Sequence, residues 1–314
     1  CSVDFNPNDS WKETTIVYGL LDQDQDTTFV RIEKCFLGEG NAISFSQIKD
    51  SLYYKEDELD VKMYAYWYWD TVAVVDSFTF NYSTIVKDSG SFFYDDNCPI
   101  YYCPTKGKLN GGMYYKLVVK NKKTGNIVSA MTRPIANYTI NTSTLTFNQK
   151  ATNNRAKINW TNIDDDGGGS GLVAKQFQVN IMFNYLQNGE IKYINIPVSK
   201  VINQHSTSVS MTSYVTMNDI VSGIKTKLKG QTNLSWYSTY PMQLYILACD
   251  RSMFDYMSIN NSQDNLLSYK PTYSNINNGI GLFAARRTKN NVKYTDKQIS
   301  SELKTAIVGL GLGF

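Results

Sequence analysis

The stretch Val61-Lys62-Met63-Tyr64-Ala65-Tyr66-Trp67-Tyr68-Trp69 decides the fold class. It alternates without a break. Val61, Met63, Ala65, Trp67 and Trp69 fall on one side, and Lys62, Tyr64, Tyr66 and Tyr68 on the other. A period of two belongs to an extended chain, whose successive side chains point to opposite faces. The first set suits the core of a β-sandwich, the second an amphipathic outer face.

The same signature recurs on either side. Thr14 to Leu21 is a β-branched and apolar run. Phe29 to Phe36 alternates, with Phe29, Arg31, Glu33 and Cys35 on one face and Val30, Ile32, Lys34 and Phe36 on the other. The polar segment Asp22-Gln23-Asp24-Gln25-Asp26 between them reads as a hairpin turn. A short helical or irregular stretch is expected near Ser44 to Leu52. Further strands are predicted at Val72 to Phe80, Gly90 to Tyr94, Tyr114 to Lys120 and Ile127 to Met131. Asn121-Lys122-Lys123-Thr124-Gly125 is the turn between the last two. About seven short strands separated by turns predict an immunoglobulin-like sandwich over residues 13–135.

A linker from Pro134 leads into a second, β-rich (α+β) domain, predicted over residues 146–314. Val173 to Leu186 and Ile191 to Pro197 form a hairpin about Gln187-Asn188-Gly189, an Asn-Gly turn. Thr216 to Lys229 reads as a helix. Thr216 caps it with Asp219 three residues on, Ile220, Ile224 and Leu228 make its apolar stripe, and Gly230 ends it. Ile299, Leu303 and Ile307 suggest a second short helix in the tail. The fold class is therefore mainly β, in two domains, as a length of 314 residues also suggests.

Composition narrows the function classes. Hydrophobic residues make up 42% of the chain and charged ones 19%, which is the balance of a folded protein. The 31 basic and 28 acidic residues leave a net charge of +3, too small to imply nucleic acid as a partner. No apolar run reaches the roughly 18 residues of a membrane-spanning helix. The chain opens at Cys1, followed by the polar Ser2 to Ser10. Residues 1–12 are accordingly expected to be a tether, lipid-modified at Cys1 and holding the protein peripherally to a membrane.

Among the other cysteines, Cys98 and Cys103 flank Pro99-Ile100-Tyr101-Tyr102, and a small disulfide closing a hairpin is expected there. Cys35 and Cys249 sit in apolar runs and read as buried free thiols. The sequence has no CxxC, and its only histidine is His205, so a zinc site is not expected. Asp22, Asp24, Asp26 and Glu33 fall at positions one, three, five and twelve of a calcium-loop pattern. Thr27 stands where that loop needs glycine, so a solvated hairpin turn is expected instead. Asp164, Asp165 and Asp166, followed by glycines, are the candidate calcium ligands; no other cofactor is expected.

Signatures of catalysis are few. There is no Gly-x-Ser-x-Gly elbow, no HExxH and no phosphate loop. A glycosidase needs only two carboxylates at a suitable separation, which leaves no sequence signature. The aromatics carry more information: 23 Tyr, 14 Phe and 5 Trp. Tyr64, Tyr66 and Tyr68 are candidate ligand-binding rings, since aromatic faces stack on sugars; cross-strand stabilisation of the sheet is the other role open to them.

Several segments carry a resemblance. Thr15-Ile-Val-Tyr-Gly-Leu-Leu-Asp22, Phe29-Val-Arg-Ile-Glu-Lys34 and Phe36-Leu-Gly-Glu-Gly40 resemble outer-membrane surface lipoproteins of Bacteroidetes, a family whose domains have no assigned function. So do Tyr115-Lys-Leu-Val-Val-Lys-Asn-Lys-Lys-Thr-Gly125 and Asn275-Ile-Asn-Asn-Gly-Ile-Gly-Leu-Phe283. The resemblance implies a lipid anchor at Cys1 and β-rich extracytoplasmic domains. It implies no activity and carries over no catalytic residue.

The expected function is a non-enzymatic binding or adhesion protein of the outer membrane or cell surface, with outer-membrane lipid, a glycan or a surface protein as partner. A glycan-active hydrolase and a structural subunit of a surface assembly are the alternatives. A cleft with two facing carboxylates would mark the hydrolase, a shallow aromatic platform the glycan binder, and a long open edge strand or apolar patch the subunit.

Overall fold

In a computed structural model, residues 12–37, 48–86, 97–147, 155–162, 171–204, 209–261 and 273–314 are described. In chain order the strands begin with β1 (Lys12–Leu21), β2 (Thr27–Leu37), β3 (Leu59–Trp67) and β4 (Asp76–Thr79). Next come β5 (Asn81–Val86), β6 (Asn97–Pro104), β7 (Met113–Asn121) and β8 (Ile127–Thr132). β9 (Tyr138–Ile140), β10 (Arg155–Asn162), β11 (Gln176–Gln187) and β12 (Glu190–Ile202) follow. The last are β13 (Ser210–Thr216), β14 (Leu234–Trp236), β15 (Met242–Cys249) and β16 (Ile280–Tyr294). The helices are α1 (Lys49–Leu52), α2 (Met217–Lys227), α3 (Arg251–Asn261) and α4 (Ser301–Val308). The protein is mainly β. Among the described residues no helix is long and apolar enough to cross a membrane.

The chain divides into two compact units. One comprises Cys1–Pro134 with Arg251–Arg286, the other Ile135–Asp250 with Arg287–Phe314. This corrects the uninterrupted second domain expected over 146–314, because residues 251–286 return to the first unit. They carry α3 and the start of β16, which pairs in parallel with β1 from Ile16↔Ile280 to Leu21↔Ala285.

The first unit is a sandwich. One sheet runs β5-β6-β2-β1-β16 and the other β4-β3-β7-β8. In immunoglobulin lettering β1-β2-β6-β5 is A-B-E-D and β4-β3-β7-β8 is C′-C-F-G. Alternation explains the core. Val61, Met63 and Ala65 of β3, Tyr115, Leu117 and Val119 of β7, Val30 and Ile32 of β2 and Val17 of β1 are buried together. The outward residues of β3, Lys62, Tyr64 and Tyr66, are half-buried. Two glycines let β16 lie against β1. A Cβ on Gly281, whose φ is +120°, would stand 2.0 Å from the Val17 carbonyl oxygen, and one on Gly279 would stand 2.7 Å from that of Thr15.

The second unit holds the sheet β13-β10-β9 and the ladder β12-β11-β15, with β14 also paired to β11. β11 and β12 turn at Asn188 and Gly189, both at positive φ. The α2 helix has the cap its sequence announces: the Thr216 hydroxyl accepts from the Asp219 N–H at 3.1 Å, and the Asp219 carboxylate accepts from the Thr216 N–H at 3.0 Å. Ile220, Ile224 and Leu228 are buried.

Three expectations change. Cys98 and Cys103 are free thiols. Both lie in β6, where five residues of extended chain separate their Cα atoms by about 16 Å and point the side chains to opposite faces. A disulfide needs under about 7 Å. Cys103 joins the sandwich core, and the Cys98 sulfur lies 3.3 Å from the Tyr53 hydroxyl. The strand expected over Val72 to Phe80 is limited to β4, and Trp67 and Trp69 do not belong to the core: Trp67 is half-buried and Trp69 is exposed. The strand expected at Gly90 to Tyr94, the candidate calcium ligands Asp164, Asp165 and Asp166, His205 and the Cys1 tether lie outside the described residues.

Candidate functional site: an aromatic pole on the first unit

β3 ends at Trp67 because its partner β7 begins opposite it, at Met113. The chain then turns. The Asp70 N–H donates to the Trp67 carbonyl at 3.1 Å, and the Asp70 carboxylate accepts from the N–H groups of Val72 and Ala73 at 2.9 and 3.3 Å. This self-bonding by a short acidic side chain is a turn device. The Val75 N–H rejoins the sheet at the Ala65 carbonyl, 2.8 Å away.

The turn folds Trp69 back on Trp67. Their rings stack with centroids 4.8 Å apart and planes within 8° of parallel. Tyr68 meets Trp69 edge-on at 4.7 Å. Trp69 is 65% exposed, so one indole supports the other while the outer ring stays open to solvent.

Arg133, just past β8, locks the base of this cluster. It is buried, its guanidinium lies 4.8 Å from the Tyr68 ring and 5.8 Å from the Tyr114 ring, and its Nε donates to the Gly111 carbonyl at 2.6 Å. The Tyr68 N–H donates to the neighbouring Gly112 carbonyl at 3.0 Å. A cation over a ring face holds it by electrostatics as well as by packing. Tyr114 also stands directly across from Tyr66 in the β3–β7 ladder, so the platform continues onto the outer face of the sheet through Tyr66 and Tyr64.

Of the three tyrosines named from sequence, Tyr64 and Tyr66 keep their place on the outer face of β3, and Tyr68 lies past the strand end against Trp69. Trp67, Trp69, Tyr114 and Arg133 were missed. Asp70-Thr71 was the available signal, a turn pair closing the alternating run. Three of the four carboxylates of the calcium-loop pattern are engaged with separate partners. Asp22 accepts from Arg286 Nε at 3.3 Å, Asp26 pairs with Lys106 at 3.0 Å, and Glu33 accepts from Arg31 Nε at 2.7 Å. Among the described residues no three acidic, histidine or cysteine side chains gather as a metal site.

Comparison with known proteins finds no matching family model and no match among curated proteins. Function is therefore read from this geometry.

Proposed function

We propose that the protein is a non-enzymatic, lipid-anchored surface protein that binds glycans through the aromatic pole of its first unit. The stacked pair Trp67–Trp69, with its outer ring open, carries the reading. A rigid, pre-positioned aromatic face suits a sugar ring, whose C–H surface packs on it while hydroxyls find nearby polar groups. The shape is a shallow platform. Among the described residues the carboxylates at this end of the sheet, Asp70 and Asp76, accept from backbone N–H groups of their own turns, whereas glycoside hydrolysis uses two carboxylates facing a cleft.

The placement of the pole supports the same reading. β1 begins at Lys12, opposite Leu37, at the end of the sandwich that also holds the β7–β8 turn. Trp67 and Trp69 lie at the other end, with the β1–β2 turn and the β6–β7 loop. A tether through Cys1 to outer-membrane lipid would present the platform away from the membrane. Many copies on one surface would raise a weak affinity per site.

The test is a polysaccharide panel probed with the purified chain, its Trp69→Ala variant and an assay of reducing ends. Saturable binding that falls at least roughly tenfold in Trp69→Ala, with unchanged thermal unfolding, is expected. No binding, binding indifferent to Trp69, or release of reducing ends would overturn the proposal. The anchor is tested by changing Cys1 to Ser in the full precursor, which should release the protein from membranes; unchanged membrane association would refute it.

A further inference from the structure

A second concave surface lies on the opposite sheet of the first unit, lined by α3 together with residues of β16, β1, β2 and β6, with Tyr256 of α3 edge-on to Tyr18 of β1. It encloses about 590 Å³, within the range of small-molecule sites. Strand registers order its floor. Leu282, Tyr18 and Arg31 form one row across three strands, and Ala284 and Leu20 belong to the next. Asp22 and Arg286 follow two residues further along. Arg31 therefore stands at one end of the floor and Arg286 at the other. The four residues from Leu282 to Arg286 span about 13 Å of extended chain. Between these ends the lining is mainly apolar, with Leu20, Phe29 and Ile100 from the sheet and Met253 and Met257 from α3, interrupted by the polar tips of Tyr18, Tyr256, Gln25 and Thr27. Phe29 is exposed although Met253 and Met257 of α3 line the same cavity, so the helix leaves the trough unfilled.

Each end of the trough carries an ion pair, Arg286 with Asp22 and Arg31 with Glu33. Two guanidinium groups line it, against one carboxylate, Asp22. Asp22 is buried and is held by Arg286 Nε and the Asp24 N–H. At the far end the Arg31 Nε and Nη2 both turn to Glu33. Among the described residues Arg286, which lines the cavity, donates through Nε only, and its two terminal nitrogens make no hydrogen bond. A planar fork of donors matches a carboxylate.

We propose that this trough binds a long-chain carboxylate, its acid group on the terminal nitrogens of Arg286 and its chain along Leu20, Phe29, Met253 and Met257. Methionines suit such an occupant, because their unbranched side chains re-pack around a flexible chain. The site is separate from the aromatic pole and does not depend on it.

Titration calorimetry of the purified chain with dodecanoate, dodecanol and acetate tests this. Dodecanoate should bind saturably, one per chain, and roughly tenfold or more tighter than dodecanol, while acetate should not bind. Met257→Trp, which fills the trough, and Phe29→Ala, which removes an exposed ring, should each weaken dodecanoate by at least about tenfold. Trp69→Ala should leave it unchanged. Absent or non-saturable dodecanoate binding, dodecanol binding equally well, or undiminished binding in both trough variants would overturn the proposal.

Discussion

The phenol oxygen of Tyr115 accepts the backbone N–H of Asn110, five residues upstream, at 2.7 Å. Tyr115 is wholly buried at the start of β7, and Asn110 lies in the loop that brings the chain from β6. This is the tyrosine corner of immunoglobulin-like sandwiches, reached here without a disulfide between the sheets. It ties the loop that supplies Gly111 and Gly112 to the base of the aromatic pole.

Replacing Tyr115 with Phe removes that bond and keeps the ring. The expected cost is about 1 kcal/mol, the net worth of one hydrogen bond. A lower urea midpoint with an unchanged slope would be seen; an unmoved midpoint would show that the corner is dispensable.

Gly281→Ala should be far more damaging. Its Cβ meets the Val17 carbonyl, and its φ of +120° strains any L side chain. Overpacking and backbone strain each cost roughly 1–3 kcal/mol, so a loss of about 3 kcal/mol or more is expected. Gly125, at φ +75° with open space around it, is the control: Ala there should cost about 1 kcal/mol. Similar losses at both sites would mean that the β1–β16 contact is not the source.

Stability should fall in alkali. Burial raises the phenols of Tyr53, Tyr101, Tyr115, Tyr245 and Tyr294 above the ordinary 10.0, and raises Tyr18 to about 12. Burial also pushes the Cys249 thiol up to about 12 and raises that of Cys103. A folded-state value above the unfolded one means that the native chain holds its protons longer. Their contribution is therefore whole below about pH 9 and is lost as pH rises through the folded values. Denaturation midpoints should be level to about pH 9 and decline steadily above it. A flat profile through pH 12 would contradict the burial of these groups.

The thiols offer a direct check on β6. A non-reduced digest should yield Cys98 and Cys103 on unlinked peptides, and native-state alkylation should reach half-buried Cys35 before Cys98, Cys103 or Cys249. A linked peptide would require β6 to be broken between Cys98 and Cys103.

What the sequence by itself determined is local. The capping box of α2 sits within four residues, the β11–β12 turn within two, and the faces of Val61 to Ala65 follow from a repeat of two. Tyr64 and Tyr66 were placed correctly for the same reason, since their direction depends only on the strand that carries them. Tertiary structure decided the rest. Alternation persists through Trp69, yet β3 stops at Trp67 because β7 starts opposite it, so of two indoles assigned to the core Trp67 became the support and Trp69 the open face of the pole. The spacing of Cys98 and Cys103 fits a hairpin as well as a strand, and pairing with β2 and β5 on either side drew it into a strand. Arg133 reaches Tyr68, and Gly281 reaches Val17, across long stretches of intervening chain. A strand's hydrogen bonds are made by its neighbours, so its ends, its open faces and its contacts depend on residues that no local pattern brings together.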